Sequence, residues 1–360
     1  MKKTTEEQTL DDPALYERYD PAGMFARLGE MPAQCQRAWQ LARGLELPEE
    51  LARVNKVVIL GMGGSAIGGD LLTSLVNSQA RLPIIISREY DLPGFVDEET
   101  LVIASSYSGN TEETLTAFGQ ALKTEAKKLV ITTGGKLKDL AGEKGITSFV
   151  FDYPTQPRAA LPYGFLSLVA IMQKLGLIGI RPPDMAETVA VLKSLSAQIN
   201  QKVPTPRNPA KQLAQNLHRR LPVIYGSGIT AGVARRWKGQ INENAKAWAF
   251  YEVFPELNHN SSAGYRLPAE LAGKIVVVML DSPLHSRPIK QRYQITSQLL
   301  KEAGVKCLQV ELEGSDPLGQ ILSLVLLGDY ASCYLAVLNK VDPTPVKAIE
   351  YLKEQLLLSS

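Results

Sequence analysis

The chain has 360 residues and a net charge of +2, from 39 basic and 37 acidic residues that are intermixed along its length. Hydrophobic residues make up 45% of it and charged residues 21%, which is ordinary for a globular protein, and the length suits two domains. This balance gives no support for nucleic acid or a membrane surface as the main partner.

The cysteines and the apolar segments indicate the compartment. The three cysteines lie far apart along the chain: Cys35, Cys307 and Cys333. They indicate neither a disulfide framework nor a zinc site, so we expect a reducing cytoplasm. The N-terminal lysines are not followed by an apolar segment, which argues against a signal peptide. The longest apolar segment, 320–338, contains Gly328 and Asp329, and we expect it to be a buried helix or helix pair and not a membrane span.

Short β-branched runs alternate with helical spacing in the first half of the chain. An N-terminal helical segment over 1–54 comes first. The runs then follow at residues 56–62, 82–87, 100–106, 128–133 and 147–152. Fully apolar strands that alternate with helices are typical of a parallel sheet covered on both faces. We therefore expect a first α/β domain over 55–155.

The same alternation returns after a helical connection over 156–220, which contains the proline-bearing stretch QKVPTPRNP. Four more apolar runs follow, at residues 221–227, 247–253, 274–280 and 306–313. VVILGMGGSAIGG and PVIYGSGITAGVA share the outline of a strand, a Gly-x-Gly turn and a helix. The pattern predicts an α/β fold with two tandem parallel sheets flanked by helices, the second over 221–360 with a C-terminal helix.

The glycine-rich turn after the first strand, GMGGSA, has three interpretations. Gly61-x-Gly63-x-x-Ala66 fits a loose dinucleotide-binding fingerprint, and Arg88 at the end of the second strand has the spacing of a residue that binds a 2′-phosphate. The absence of Gly-Lys-Ser/Thr excludes a Walker loop. The turn also suits a simple phosphate, or a tight strand-to-helix connection that binds nothing.

The turn after the third strand, ASSYSGNTEET, is rich in hydroxyls. Ser106, Ser108 and Thr111 stand where the first turn of a helix leaves N–H groups free, and such groups bind a compact anion. Helix capping would explain one hydroxyl but not three with a glycine among them. A dinucleotide has no need of this cluster, so the pattern favours a phosphate monoester.

Six motifs in sequence order give the chain a family resemblance. They are GMGGSA, SYSGNTEET, PRAALP, NENAK, ELNHN and DPTPVKAIEYLK. The two turns resemble those of sugar isomerase (SIS) domains, which bind phosphosugars, and together the six motifs resemble the bifunctional phosphoglucose/phosphomannose isomerase family over residues 55–358. The resemblance implies two tandem SIS domains. It also implies a carbohydrate-metabolism enzyme that interconverts glucose 6-phosphate, and mannose 6-phosphate, with fructose 6-phosphate through an enediol.

The resemblance further implies roles for single residues. Glu243 of NENAK would be the base that moves a proton between C1 and C2, and Arg158 of PRAALP would stabilise the enediolate. Lys353 would be a further catalytic residue. The substrate phosphate would be bound by residues of the two turns: Gly64, Ser65, Ser106, Ser108 and Thr111.

The three histidines differ in their settings. His218 precedes two arginines and His285 lies in the loop SPLHSRP, so we expect His259, among amides and serines, to be the histidine whose ring is oriented. By the resemblance, His259 would open the sugar ring and reach the site of the other subunit in a homodimer.

One departure from the family concerns the mannose substrate. Some members carry a threonine in the C-terminal motif that is linked to the use of both hexose phosphates. Counting back from Lys353 on that pattern reaches Val346, whereas Thr344 lies two residues earlier. The sequence therefore supports phosphoglucose activity more directly than phosphomannose activity.

Other functions are open at this point. A non-catalytic phosphosugar-binding regulator, or an SIS isomerase for another phosphosugar, would use the same turns. Glu243 and His259 disfavour the regulator, and the first 50 residues lack the basic face of a DNA-binding helix-turn-helix. An NADP-dependent dehydrogenase would depend on Arg88. No His, Cys and carboxylate residues have ligand spacing, so we expect neither a metal nor a cofactor.

Overall fold

The computed structural model describes residues 10–76, 79–180, 184–312, 314 and 316–359, with two parallel sheets at its centre. The first sheet has the strands β1 (Lys56–Leu60), β2 (Ile84–Ser87), β3 (Thr100–Ser106), β4 (Lys127–Thr132) and β5 (Ser148–Val150). The second has β6 (Leu221–Ser227), β7 (Phe250–Phe254), β8 (Ile275–Leu280) and β9 (Lys306–Val310). Each apolar run of the sequence corresponds to one of these strands.

Helices precede, connect and follow the strands. The N-terminal helices are α1 (Pro13–Tyr19), α2 (Met24–Gly29) and α3 (Met31–Gly44). Those between the strands of the first sheet are α4 (Gly63–Val76), α5 (Glu112–Ala121) and α6 (Gly135–Glu143), and the helical connection has α7 (Leu161–Lys174), α8 (Met185–Ile199) and α9 (Pro209–Leu217). The second sheet has α10 (Ala231–Ala245) and α11 (Arg287–Glu302), and α12 (Pro317–Leu338) and α13 (Lys347–Ser359) follow it.

The four strands of the second sheet have the same topology as the first four strands of the first sheet. Their orders are β2-β1-β3-β4-β5 and β7-β6-β8-β9, and every neighbouring pair is parallel, with Val57 beside Leu101 and Val223 beside Val277. In such a sheet the chain leaves the two central strands in opposite directions, which opens a crevice at their carboxyl ends. The glycine turn and the hydroxyl turn follow β1 and β3, so the fold brings them together. The predicted α/β class with two tandem parallel sheets is confirmed.

The helix α12 forms the centre of the core. Its residues from Leu318 to Val337 are all buried. By length and composition it could cross a membrane, but 94% of its most apolar window is buried inside the protein. It packs on α8 and α9 of the helical connection and on α10, which connects β6 and β7 of the second sheet. The prediction of a buried helix in this segment is confirmed, as one continuous helix.

Two residues that interrupt the apolar sequence of α12 have partners on α10. Gly328 lies against the indole of Trp237, where a Cβ would overlap the ring, and the indole N–H donates to the Leu324 carbonyl at 2.8 Å. Asp329 pairs with Arg236 at N–O distances of 3.1 and 2.6 Å. Both side chains of this pair are at most 3% exposed. Gly328 and Asp329 therefore help to hold α12 against α10.

A buried lysine ties the N-terminal segment to the helical connection. Lys211 donates to the Asp11 carboxylate at 3.0 Å and to the Gln201 carbonyl at 2.9 Å. The rings of Tyr16 and Tyr334 lie within 5.8 Å of its ammonium. Because Tyr334 belongs to α12, the segment before the first sheet packs on a helix that follows the second. The boundaries between the four predicted segments, at 54/55, 155/156 and 220/221, stay a prediction.

Gly328→Ala should lower the free energy of unfolding by about 1–3 kcal/mol, because the added methyl group must displace Trp237 in a filled core. Gly239→Ala on α10 is the matched control, since nothing lies within 4 Å of its Cβ position. It should be neutral or stabilising by up to about 1 kcal/mol, because alanine favours the helix. Urea denaturation measures both. Wild-type stability of the Gly328 variant would show that Trp237 has room to move.

Candidate active site

The two turns that follow β1 and β3 are joined by hydrogen bonds. The Ser65 hydroxyl, in the first turn of α4, accepts from the Tyr107 N–H at 3.1 Å. The hydroxyls of Ser106 and Thr111 are 2.9 Å apart, and Ser106 also accepts from the Gly109 N–H at 3.1 Å. The first N–H groups of α4 and α5 have no partner within their own helices. The crevice is therefore surrounded by hydroxyls and backbone donors.

Helix capping does not explain the hydroxyl cluster. Thr111 is the N-cap residue of α5, but its side chain makes no capping hydrogen bond. Ser108 is exposed and accepts from the Asn110 N–H at 3.2 Å. Between them, Gly109 has a φ of +66° and lies against Gly134, where a Cβ would overlap the carbonyl. The turn therefore requires a glycine, both for its backbone conformation and for space.

Arg158 is the centre of a second group of residues. Its side chain is 3% exposed, and its Nε donates to the Asn244 side-chain oxygen at 2.7 Å. Its Nη2 donates to the carbonyls of Pro343 and Thr344 at 2.6 and 2.7 Å. Its Nη1 lies 3.6 Å from a carboxylate oxygen of Glu243. Burial lowers the pKa of Arg158 and Glu243 opposes this shift, but a guanidinium stays charged in a protein. The result is a fixed cation beside a carboxylate.

Glu243 lies in the last turn of α10, with its side chain 31% exposed. Its neighbour Asn244 is buried, donates to the Ser332 hydroxyl of α12 at 2.9 Å and accepts from Arg158. This amide fixes the end of the helix and the guanidinium to each other, while the carboxylate still reaches solvent. Such a carboxylate can take a proton from a bound molecule and leave the cation to face the resulting oxyanion.

The glycine turn and Arg158 are parts of one site. Gly64 packs on the backbone that carries Arg158, since a Cβ there would stand 3.6 Å from the Arg158 nitrogen and from the Pro157 carbonyl carbon. From the other side, Arg236 donates to the Arg158 carbonyl at 2.9 Å. Arg236 is itself held by Asp329. The Arg236–Asp329 ion pair thus helps to hold the segment that carries Arg158 beside the glycine turn.

Within one chain, His259 and Lys353 have no hydrogen bond or ion pair with Arg158 or Glu243. His259 is exposed in the 3₁₀ turn Glu256–His259, which follows β7. Lys353 lies on α13, whose described side chains are all exposed. Neither side chain makes a hydrogen bond or an ion pair with any residue that the structure describes. The fold therefore gathers the residues of the two turns, Arg158 and Glu243, but leaves these two apart.

The expectation that His259 alone among the histidines has an oriented ring does not hold, while the role of His259 itself stays a prediction. The ring of His285 is the one held between partners, with Nδ1 2.9 Å from the Asp281 carboxylate and Nε2 3.0 Å from the Ser227 carbonyl. These residues follow β6 and β8, where the second sheet has the equivalent crevice. The signal in the sequence was an aspartate and a histidine four residues apart directly after an apolar strand.

The second crevice contains a carboxylate where the first contains hydroxyls. Burial acts to raise the pKa of Asp281, but hydrogen bonds from His285, the Ser282 N–H and Gln309 outweigh it, and the pKa is lowered. A carboxylate that stays ionised repels a phosphate. The turn GSGIT after β6 forms a capping box between Ser227 and Thr230. It acts as a strand-to-helix connection.

Arg88 does not support the dinucleotide interpretation. Its guanidinium pairs with Asp70 on α4, and Arg235 of α10 lies 3.5 Å from the other carboxylate oxygen. A guanidinium engaged in this network does not offer its paired donors to a 2′-phosphate. Both this pairing and the hydroxyl turn favour a simple phosphate in the crevice.

Comparison with known proteins gives the chain its family. Residues 206–356 match the family model of the bacterial phospho-glucose isomerase C-terminal SIS domain. The chain is 44% identical to the bifunctional phosphoglucose/phosphomannose isomerase of Caldicellulosiruptor bescii, over 92% of this chain and 98% of that protein. It belongs to the bifunctional phosphoglucose/phosphomannose isomerase family.

Two further similarities extend over most of the chain. A protein of the same name from Aquifex aeolicus is 37% identical over 86% of this chain and 93% of its own length. The crystal structure of a hypothetical protein from Thermus thermophilus has a TM-score of 0.73 at 17% identity, and covers 96% of this chain and 92% of that one. At that identity the likeness concerns the fold alone. The family indicated by the six sequence motifs is confirmed.

In this member of the phosphoglucose/phosphomannose isomerase family, Asp329→Leu should lower the free energy of unfolding by about 3–5 kcal/mol, because it leaves Arg236 buried without a counter-charge. The double variant Arg236→Met/Asp329→Leu should recover most of this loss, since no unpaired charge is then buried. Chemical denaturation of the three proteins measures the difference. A double variant no more stable than the single one would show that the pair is needed for its shape and not for its charge.

Proposed function

We propose that the chain is an aldose–ketose isomerase that interconverts glucose 6-phosphate, and also mannose 6-phosphate, with fructose 6-phosphate. The observation that carries this proposal is the buried Arg158 guanidinium, 3.6 Å from the partly exposed Glu243 carboxylate, on a residue whose backbone packs against the glycine turn. Relatives in the family carry both activities in their names. The proposed chemistry requires neither a metal nor a cofactor.

The two turns would hold the substrate phosphate. Hydroxyls come from Ser65, Ser106, Ser108 and Thr111, and Gly64 has no side chain to keep a ligand from the first N–H groups of α4. The positive ends of α4 and α5 add attraction for a dianion. Because Gly64 packs on the segment of Arg158, a phosphate held here would place the other end of a hexose toward the Arg158–Glu243 pair.

Glu243 would move the proton between the two carbons. Its carboxylate takes the C2 proton of the aldose while O1 gains a proton, which gives the enediol. Return of the proton to C1, with loss of the O2 proton, gives the ketose. The negative charge would develop beside Arg158, whose hydrogen bonds hold it in place, so that no reorganisation is needed.

Thr344 supports the use of both hexose phosphates. Glucose 6-phosphate and mannose 6-phosphate differ only in configuration at C2, so loss of the C2 proton gives both the same enediol. The Thr344 carbonyl accepts from Arg158 at 2.7 Å, and its hydroxyl is buried with no hydrogen-bond partner among the described residues. Val346 instead lines, together with Trp248, the cavity beside the first turn of α13. We infer that Thr344 supplies the polar group that the family's threonine provides.

With fructose 6-phosphate and a metal chelator, the purified protein should form glucose 6-phosphate in a coupled assay, and mannose 6-phosphate in a parallel one. Glu243→Gln should lower kcat at least about a hundredfold, because an amide cannot take the proton. Glu187→Gln, on the exposed surface of α8, is the matched control and should keep the wild-type rate. Binding of fructose 6-phosphate without turnover would contradict the proposal and favour a regulator or an isomerase of another phosphosugar.

We further propose that two chains complete the site together. The C-terminal helix α13 exposes an apolar face that includes Ile349 and Leu352. Beside its first turn, Trp248 and Phe250 are 78% and 49% exposed and line a cavity of about 920 Å³. A single helix with an exposed apolar face gains most of its stability from packing against a partner.

A second copy of the chain is the partner that this surface fits. One chain leaves His259 and Lys353 apart from the Arg158–Glu243 pair, so the site of a single chain lacks a group for ring opening. A dimer would cover the apolar surface and let His259 of one chain serve the site of the other. Lys353 would reach the same site when α13 is packed at the interface.

Mixing experiments test the shared site. Glu243→Gln and His259→Ala should each be inactive alone, and after subunit exchange their mixture should regain about a quarter of the wild-type rate, because half of the dimers then carry one intact site. Glu243→Gln mixed with Arg158→Met is the control and should stay inactive, since both residues come from the same chain. No recovery in the first mixture, with exchange confirmed by mass spectrometry, would contradict the donation of His259 across the interface.

The cysteines support a reducing compartment for this enzyme. All three are free thiols, and Cys35 and Cys333 are buried in the core. Burial raises the pKa of both thiols, which keeps them protonated and inert. We therefore propose that the protein works in the cytoplasm, where its phosphosugar substrates would also be found.

A further inference from the structure

Lys246 ends α10 in a backbone conformation that lysine rarely adopts. Its φ is 53° and its ψ is 32°, in the left-handed region where glycine is the common residue at the end of a helix. Any side chain at such a position costs backbone energy. Glycine would fit this backbone at lower energy, so a role for lysine at this position has to come from the contacts of its side chain.

The Lys246 ammonium joins the proposed base to the turn that supports Arg158. It donates to the Glu243 carbonyl at 2.6 Å and to the Pro343 carbonyl at 3.1 Å. The same Pro343 carbonyl accepts from Arg158 at 2.6 Å. Lys246 therefore contacts the backbone of the base on one side and shares an acceptor with the catalytic cation on the other.

The position is unfavourable for a charged lysine. Burial, and then repulsion by Arg158, lower the pKa of Lys246 to about 8, although Asp342 and Glu243 oppose the shift. Because the unfolded chain holds this proton more tightly, keeping the ammonium below pH 8 costs folding stability, and the cost disappears as the pH rises from 8 toward the unfolded value. A charge kept at such a cost beside reacting groups is typical of a functional site.

We propose that Lys246 is a positioning residue of the isomerase: its ammonium holds the end of α10 and the turn over 342–344 at a fixed separation, so that the Glu243 carboxylate and the Arg158 guanidinium face the same substrate carbons. The inference rests on the proposed isomerase function. Lys246 acts through these two residues and not on the substrate. Its loss should disturb proton transfer and leave phosphate binding, which depends on the turns after β1 and β3, largely intact.

Lys246→Gly separates the side chain from the backbone, since glycine favours the left-handed conformation. This variant should keep its melting temperature or raise it, while kcat falls about ten- to a hundredfold and KM for fructose 6-phosphate stays within about twofold. Lys246→Arg should recover most of the rate, because a guanidinium can donate to both carbonyls. Arg219→Gly, at another left-handed residue (φ 61°) outside the site, is the matched control and should keep the wild-type kcat.

The pH profile tests the charge itself. Wild-type kcat should fall on the alkaline side around pH 8, where the Lys246 ammonium loses its proton. Lys246→Arg should move this fall to higher pH, because a guanidinium stays charged. Lys238 and Lys347, which line the adjacent cavity with Lys246, are present in both proteins and do not produce the difference. Full activity of Lys246→Gly, or an unmoved alkaline fall in Lys246→Arg, would overturn the inference.

A separate readout distinguishes this inference from the proposed function. If the wild-type protein shows no turnover, the isomerase proposal fails, and hydrogen exchange then tests Lys246 alone. Faster amide exchange over 342–346 in Lys246→Gly than in the wild type would support the positioning role. Equal exchange in the two proteins would overturn it.

Discussion

The burial of one guanidinium organises the candidate site. A buried charged group must find hydrogen-bond partners, because an unpaired one is costly. Arg158 finds them on two distant segments, at Asn244, 86 residues later, and at Thr344, 186 residues later. Its own carbonyl is held by Arg236, which depends on Asp329 of α12. The partners of the guanidinium come from two segments that lie far from Arg158 in the sequence, so the site forms only when these segments are folded against it.

The two sheets share a topology but differ in what their crevices contain. In the first, neutral hydroxyls such as Ser106 and Thr111 leave the crevice receptive to a dianion. In the second, the ionised Asp281 and the ring of His285 occupy the same place in the topology. In the proposed enzyme the first α/β unit would hold the phosphate, and the second would contribute through α10, which carries Glu243. A shared fold need not imply a shared chemistry, because the side chains at the crevice differ between the two units.

The sequence predicted what depends on local pattern and missed what depends on distant contacts. Buried parallel strands are continuous apolar runs, so the strands and the turns between them could be located without a structure. Gly328 and Asp329 looked like interruptions of an apolar helix, because their partners on α10 lie about ninety residues away. His285 lies in a loop, as the sequence indicates, but the orientation of its ring depends partly on the Ser227 carbonyl at the end of β6. For His259, the family resemblance alone, and no local pattern, indicates action in a second chain.

The position of α12 in the sequence affects how the chain can fold during its synthesis. This helix is synthesised long after the N-terminal helices, yet Tyr330 and Tyr334 pack on Phe25, with ring centroids 5.9 and 4.9 Å apart. The N-terminal helices therefore have no complete apolar partner until α12 has left the ribosome. A nascent chain in this state exposes hydrophobic surface and is prone to aggregation. The two halves resemble independent modules in sequence, but the core that they share through α12 makes them a single unit of folding.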